Sequence, residues 1–188
     1  MKRSTINQAI KRATTFFESN GWVLPHNAQW DVTDFGLGDF QDCGLVLVNL
    51  AEEEEYCEKL MYAQQNQVTP MHCHAQKKED IIVRTGAMAI EIWKGVPGKN
   101  TDEIDVKITG EYQKIKSGDI VELKAGERVT LTPGLYHKFW PTTSECIIGE
   151  VSTANDDVND NFFINADIGR YSEIEEDEQP LVSLLSDH

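Results

Sequence analysis

Two hydrophobic periodicities divide the chain. From Ser4 onward, Ile6, Ala9, Ile10, Ala13, Phe16 and Phe17 recur at steps of three and four, which puts them on one face of a helix. A hydroxyl cap at Ser4 and a stop at Gly21 bound that helix at about residues 4–20. After Pro25 the pattern shortens into apolar or alternating runs: Leu45–Leu50, Lys59–Ala63, Ile81–Val83, Ala87–Trp93, Ile104–Ile108, Ile120–Leu123, Val129–Leu131 and Cys146–Val151. Each predicts a strand. In Ala87–Trp93 the alternation is clearest, with Met88, Ile90 and Ile92 on one face and Ala87, Ala89, Glu91 and Trp93 on the other. Turn formers punctuate the runs at Gly86, Gly95–Gly98, Gly118, Gly126 and Pro133-Gly134. Many short strands at this spacing predict an all-β sandwich or barrel behind one N-terminal helix.

Composition narrows the function. A length of 188 residues with no repeat or linker reads as a single domain over 1–188, with an acidic C-terminal tail. Hydrophobic residues at 40% and charged residues at 26% suit a packed core rather than disorder. Against 32 Asp plus Glu stand 17 Lys plus Arg, a net charge of -15. That field repels nucleic-acid phosphates and anionic membranes, and it favours a neutral substrate over a phosphorylated one. No apolar stretch has the length of a signal peptide or a membrane span, so a cytoplasmic protein is expected. The four cysteines form no Cys-x-x-Cys pair and read as reduced thiols. Glu173–Glu178 reads as a solvated acidic face, and Leu181–Leu185 as an apolar end that docks on the barrel or on a partner subunit.

The chemistry concentrates in the histidines. His72 and His74 are one residue apart, so on an extended strand both imidazoles point the same way, about 6.5–7 Å apart at the backbone. Glu79 follows after a stretch long enough for the chain to bend back, and Gly86 supplies a turn. Pro133-Gly134-Leu135-Tyr136-His137 sets a third histidine just after another turn. Three imidazoles and a carboxylate make a mixed nitrogen and oxygen site suited to Mn2+, Fe2+, Ni2+, Co2+ or Zn2+. The alternative is that these histidines merely fill hydrogen-bonded core or surface positions. His26 and His188 read as structural or solvated, and Cys73, between two ligands, as facing the core.

The spacing His-x-His, four residues, Glu, six residues, Gly, met by His72, His74, Glu79 and Gly86, resembles the first motif of the cupins. Asn66 stands where a glycine is usual, and it tolerates a left-handed turn. Gly126, Pro133, Gly134 and His137 resemble the second motif, without its closing asparagine. Four longer blocks, Trp30–Phe40, Thr69–Ile82, Pro133–Trp140 and Gly149–Asp157, are similar to the D-lyxose isomerases, and the likeness runs from the first helix through Tyr171. It departs after Pro25, where a segment of longer members is missing. The resemblance implies a double-stranded β-helix, or jelly-roll barrel, with an N-terminal helix and peripheral short helices. It further implies a manganese-dependent aldose–ketose isomerase, acting on D-lyxose and D-xylulose and on D-mannose and D-fructose, with His72, His74, Glu79 and His137 as metal ligands. Fold analogy adds a homodimer.

Such a reaction needs a proton shuttle. Glu150 interrupts the apolar run Ile147–Val151 and is the first candidate, against the alternative of a charge pointing outward. Lys77, between His74 and Glu79, is the second, against an exposed loop lysine. Asp157 and Arg170, with Asp156, are candidates for binding distal hydroxyls, and Asp34 either stabilises its own turn or joins the site. Phe139 and Trp140 read as core packing rather than sugar stacking. Two competing classes remain: an iron-dependent cupin dioxygenase, and a non-enzymatic sugar- or metal-binding cupin.

Overall fold

The helix α1, Arg3–Ser19, carries Ile6, Ala9, Ile10, Ala13 and Phe17 on its buried face. Burying each of the larger side chains contributes roughly 1.5–3 kcal/mol. Ser4 does not cap it. The helix starts one residue earlier, with Lys2 in the extended cap position, while the Ser4 amide and hydroxyl both donate to the Asp177 carboxylate at 2.8 and 2.7 Å. Gly21, at φ +80°, ends it as expected.

A computed structural model describes residues 1–99, 102–153, 156, 159–168 and 173–187. Beyond α1 the chain runs through β1 Gln29–Thr33, the short helix α2 Phe40–Cys43, β2 Leu45–Glu52, β3 Tyr56–Gln64, β4 His72–Cys73, β5 Glu79–Thr85 and β6 Ala87–Lys94. Then come β7 Glu103–Ile108, β8 Glu111–Lys116, β9 Ile120–Lys124, β10 Arg128–Leu131, β11 Leu135–Pro141, β12 Glu145–Thr153, β13 Phe162–Phe163 and a 3-10 turn, Leu185–Asp187. Eight strands form one sheet in the order β1-β2-β3-β12-β5-β10-β7-β8, and five form the other, β13-β4-β11-β6-β9. The fold is the expected all-β one, with few and mostly short helices.

Strand alternation sorts the side chains into two cores. Met61, Ile81, Val83, Cys146 and Ile148 of the larger sheet meet Met88, Ile90, Ile92, Leu135 and Phe139 of the smaller one between the sheets. On the outer side, Trp30, Val32, Val46, Val48, Leu60, Tyr62 and Ile147 pack under α1. Strand β2 is therefore covered on both faces, which is why Leu45–Leu50 reads as a nearly unbroken apolar run. At the β5–β6 turn Gly86 has φ +84°, and a Cβ there would sit 2.5 Å from Thr143 Oγ1 and 2.7 Å from the Glu145 carbonyl. A side chain cannot fit.

Three strands carry no simple signal. In β8 five of six residues are exposed, as an edge strand paired only with β7 requires, so no apolar stripe exists. Strand β1 buries Trp30 and Val32 under the helix but turns Asp31 and Thr33 inward, and β11 places His137 between Leu135 and Phe139 on its inner face. Asn66 does not take the left-handed backbone. Among the described residues only Phe35 and Thr109 do so without being glycine.

The acidic tail is exposed, yet it is also a strap across the start of α1. Arg3 donates to Glu176 through Nε and Nη2 at 2.9 and 2.6 Å and to Asp187 at 2.7 Å, and Asn7 Nδ2 donates to Glu178 at 2.7 Å. Carboxylates gathered at a helix N-terminus also oppose its dipole favourably. Leu184 beyond the strap is buried and pairs with Trp30, so the apolar end docks on the barrel.

Candidate metal centre

One end of the space between the sheets is apolar and the other polar. The inner face of β5 runs Val83, Ile81, Glu79, and that of β12 runs Cys146, Ile148, Glu150, Ser152. In β3 the inward positions are Ala63, Met61 and then Lys59, and in β2 they are Leu45, Leu47 and then Asn49. Two-residue alternation therefore delivers Glu79, Glu150, Ser152, Lys59 and Asn49 to the same end of the barrel. Opposite them, His72 of β4 pairs directly with His137 of β11.

The three imidazoles converge. Their candidate ligand atoms all lie within 4.8 Å of one another. Each Nδ1 faces a main-chain carbonyl: His72 that of Pro70 at 2.9 Å, His74 that of Asp160 at 2.7 Å and His137 that of Leu135 at 3.1 Å. A carbonyl only accepts, so these contacts assign a ring proton to each Nδ1, and in the neutral ring Nε2 is then a lone pair. Glu79 Oε1 stands 3.4 Å from His74 Nε2 and 3.1 Å from His137 Nε2. All three of these atoms are buried without a hydrogen-bond partner. Buried acceptors crowded together without a donor are costly on their own, and a divalent cation would resolve the conflict.

The charges fit that purpose. Burial, reinforced by His137 and His74, holds His72 well below the ordinary imidazole value, so the ring is neutral. For Glu79 burial alone would favour protonation, but the Lys77 charge outweighs it and holds the carboxyl well below its ordinary value. Burial also opposes the Lys77 charge, and Glu150 and Glu79 overcome it, raising that group above the ordinary lysine value. Lys77 Nζ lies 3.0 Å from both Glu79 Oε2 and Glu150 Oε1, and Lys59 Nζ lies 3.8 Å from the same Glu150 oxygen.

Of the residues singled out in the sequence, His72, His74, Glu79, His137, Lys77 and Glu150 are thus brought together. Lys77 and Glu150 are buried, at 5% and 6% exposure, which the alternatives of a loop lysine and an outward charge did not foresee. Asp157 and Arg170 lie outside the described residues, as does His188. Asp156 is exposed and accepts from the Asn159 amide at 2.9 Å. Asp34 accepts from the Gly36 amide at 3.0 Å within its own turn. Phe139 is core, Trp140 is half-buried, Cys73 is buried as expected, and His26 is exposed in a loop.

Sequence reasoning missed Lys59, Asn49 and Ser152. Extending the alternation of their strands past the last apolar residue would have found them. It also missed an aromatic wall. Phe35 sits at φ +56° in a turn closed by the Leu37 amide on the Asp34 carbonyl, where a left-handed non-glycine residue costs roughly 1–2 kcal/mol. Its ring meets Phe163 at 6.1 Å, and Phe163 lies 5.4 Å from the His72 ring.

Two antiparallel sheets enclosing a three-histidine centre at one end define a cupin barrel. The L-ribose isomerase of Cellulomonas parahominis has the same fold, with a TM-score of 0.71 at 16% identity, covering 93% of this chain and 98% of that one. The Geodermatophilus obscurus L-ribose isomerase gives 0.72 at 15% identity over the same shares. The family model described as D-lyxose isomerase matches residues 1–31 and 26–188, two overlapping stretches that together span the chain. The D-lyxose/D-mannose isomerase of Escherichia coli O157:H7 is 35% identical over 224 aligned positions, covering 100% of this chain and 98% of that protein. Its Serratia proteamaculans counterpart is also 35% identical, covering 96% and 94%. The chain belongs to the D-lyxose isomerase family and is a sugar isomerase of the aldose–ketose kind.

Proposed function

We propose that the chain interconverts D-lyxose with D-xylulose, and D-mannose with D-fructose, by proton transfer between C1 and C2 through a cis-enediol. One observation supports this above the others: buried, partnerless Nε2 and carboxylate oxygen atoms converge beside a carboxylate that an inward ammonium holds in place.

His72, His74 and His137 through Nε2, and Glu79 through Oε1, would hold the ion, and Mn2+ is the one proposed, with Co2+, Fe2+, Ni2+ or Zn2+ able to use the same donors. A bound divalent ion supplies polarisation of the sugar carbonyl and its neighbouring hydroxyl. Glu150 takes the proton from the carbon beside the carbonyl and returns it to the former carbonyl carbon, while the hydroxyl proton of the first carbon passes to the former carbonyl oxygen. Lys77 holds Glu150 and Glu79 in register and donates to the substrate oxygens as negative charge develops. Lys59 and Asn49 face the same space and offer donors to the sugar hydroxyls. Asp157 and Arg170 complete the reading as contacts to the distal hydroxyls, and Phe35 with Phe163 forms an apolar wall. The chain works as one domain, as a homodimer in the cytoplasm. Among the described residues no helix is long and apolar enough to cross a membrane.

The test is to chelate the protein, restore Mn2+, and offer a panel of aldoses in deuterated water. Metal-dependent ketose formation with deuterium at C1 or C2 is expected. Oxygen uptake would instead identify the dioxygenase, and metal uptake without turnover the binding protein.

A further inference from the structure

We propose that Asp160 is a positioning residue, which sets both the metal ligand His74 and the proton-shuttle support Lys77 by gripping the loop between β4 and β5. The inference rests on the isomerase reading, and it concerns a residue that takes no part in the chemistry itself.

The loop is short and carries a functional side chain at each end. His74 stands at its start, Lys77 near its end, and Glu79 opens the next strand. Its amides need partners. Those of Ala75, Gln76 and Lys77 all find one carboxylate: Asp160 Oδ1 accepts from Ala75 at 2.8 Å and Gln76 at 3.1 Å, and Oδ2 accepts from Gln76 at 3.2 Å and Lys77 at 2.8 Å. The Asp160 main-chain carbonyl accepts from His74 Nδ1 at 2.7 Å. One residue therefore bonds every residue from His74 to Lys77. Asp160 is 5% exposed, and burial would raise its carboxyl, but the amides of Lys77, Ala75 and Gln76 outweigh that and hold it below the ordinary aspartate value.

Two consequences follow for the centre. The carbonyl fixes the His74 tautomer, so its Nε2 lone pair faces the other ligands, the kind of outer contact on which metal affinity depends. The carboxylate fixes the loop backbone, so Lys77 Nζ reaches Glu79 and Glu150 at once. A loop displaced by about 1 Å would break that reach, and misplacements of this size can cost about a hundredfold in rate.

Asp160→Asn tests this, because it keeps the shape and the main-chain carbonyl but turns one acceptor into a donor facing amides. Titration of the chelated chain with Mn2+ alone should show affinity weakened about 10–100-fold. At saturating Mn2+, kcat should fall at least about tenfold while KM stays within about twofold, the pattern of a disturbed shuttle rather than weaker sugar binding. Wild-type Mn2+ affinity together with wild-type kcat in the folded variant overturns the proposal. If the asparagine variant does not fold, Asp160→Glu, with both oxygens one methylene further out, is read the same way. Its expected result is weakened Mn2+ affinity, and wild-type affinity overturns the proposal. Mn2+ binding by both chains with no isomerisation by either counts against the isomerase reading, whereas equal binding and equal turnover count against Asp160 alone.

Discussion

Lys77 and Arg3 are each a buried cation between two carboxylates, one inside the barrel and the other at the strap over α1. Lys77 spans Glu79 and Glu150 at 3.0 Å each, and Arg3 spans Glu176 and Asp187 at 2.6 and 2.7 Å. What they leave over separates them. Beside Lys77 the unpaired atoms include three that converge, His74 Nε2, His137 Nε2 and Glu79 Oε1. At the strap the unpaired atom is a donor, Arg3 Nη1, and Glu176 is 55% exposed, so no group of acceptors converges there. A similar charge pattern thus marks a candidate binding centre in one place and a fastening in the other, and converging acceptors are the distinguishing sign.

Variants should separate the two clusters, and the largest effect belongs to the barrel. His74→Ala should abolish both metal uptake and isomerisation, read by metal analysis of the purified chain and by a ketose assay. Next, Glu150→Gln should retain the metal but lose at least about tenfold to a hundredfold in kcat, so normal turnover would reject Glu150 as the shuttle. A smaller effect of a different kind is expected at the strap. Arg3→Ala should lower the thermal midpoint by several degrees, at about 2–4 °C per kcal/mol for a chain of this size, while kcat of the folded enzyme stays unchanged. A fall in kcat there would erase the distinction.

The smallest effect is the pH dependence of the strap's own contribution. The bond from Arg3 holds Glu176 below its ordinary 4.5, and the bonds from Ser4 hold Asp177 below its ordinary 3.8. Groups whose folded values are depressed contribute stability above their unfolded values and lose it as the pH falls through the folded ones. The midpoint difference between the parent chain and Arg3→Ala should therefore be full at pH 7 and shrink below about pH 4. Calorimetry at the two pH values checks it, and a difference that grows on acidification contradicts it.

Legibility in the sequence followed the same division. Strands could be read wherever one face is apolar, as in Ala87–Trp93, whose Met88, Ile90 and Ile92 are fully buried. The candidate ligand group could be read because His72, His74 and Glu79 lie close together in sequence and His137 follows a marked turn. Strand β8 could not, because an exposed edge needs no apolar stripe, and β11 could not, because His137 occupies an inward position where an apolar residue would have signalled a strand. Asp160 and Lys59 were hidden for a further reason: their partners, Ala75–Lys77 and Glu150, are remote in sequence and meet them only through folding. The acidic tail misled in part, since a run of like charge reads as solvated while its opposite charges, on α1, come from the other end of the chain.

The strand that presents His72 is one of the two shortest in its sheet. Strands β4 and β13 have two residues each, whereas β3 and β12 have nine and pair along their whole length. Protection of main-chain amides against hydrogen exchange is therefore uneven. At β4 and β13 exchange should proceed through local opening, whereas in β3 and β12 it should await global unfolding. Metal loading, which would join His72 to His137 across the β4–β11 pair, should accordingly register first as slowed deuterium uptake at this frayed margin.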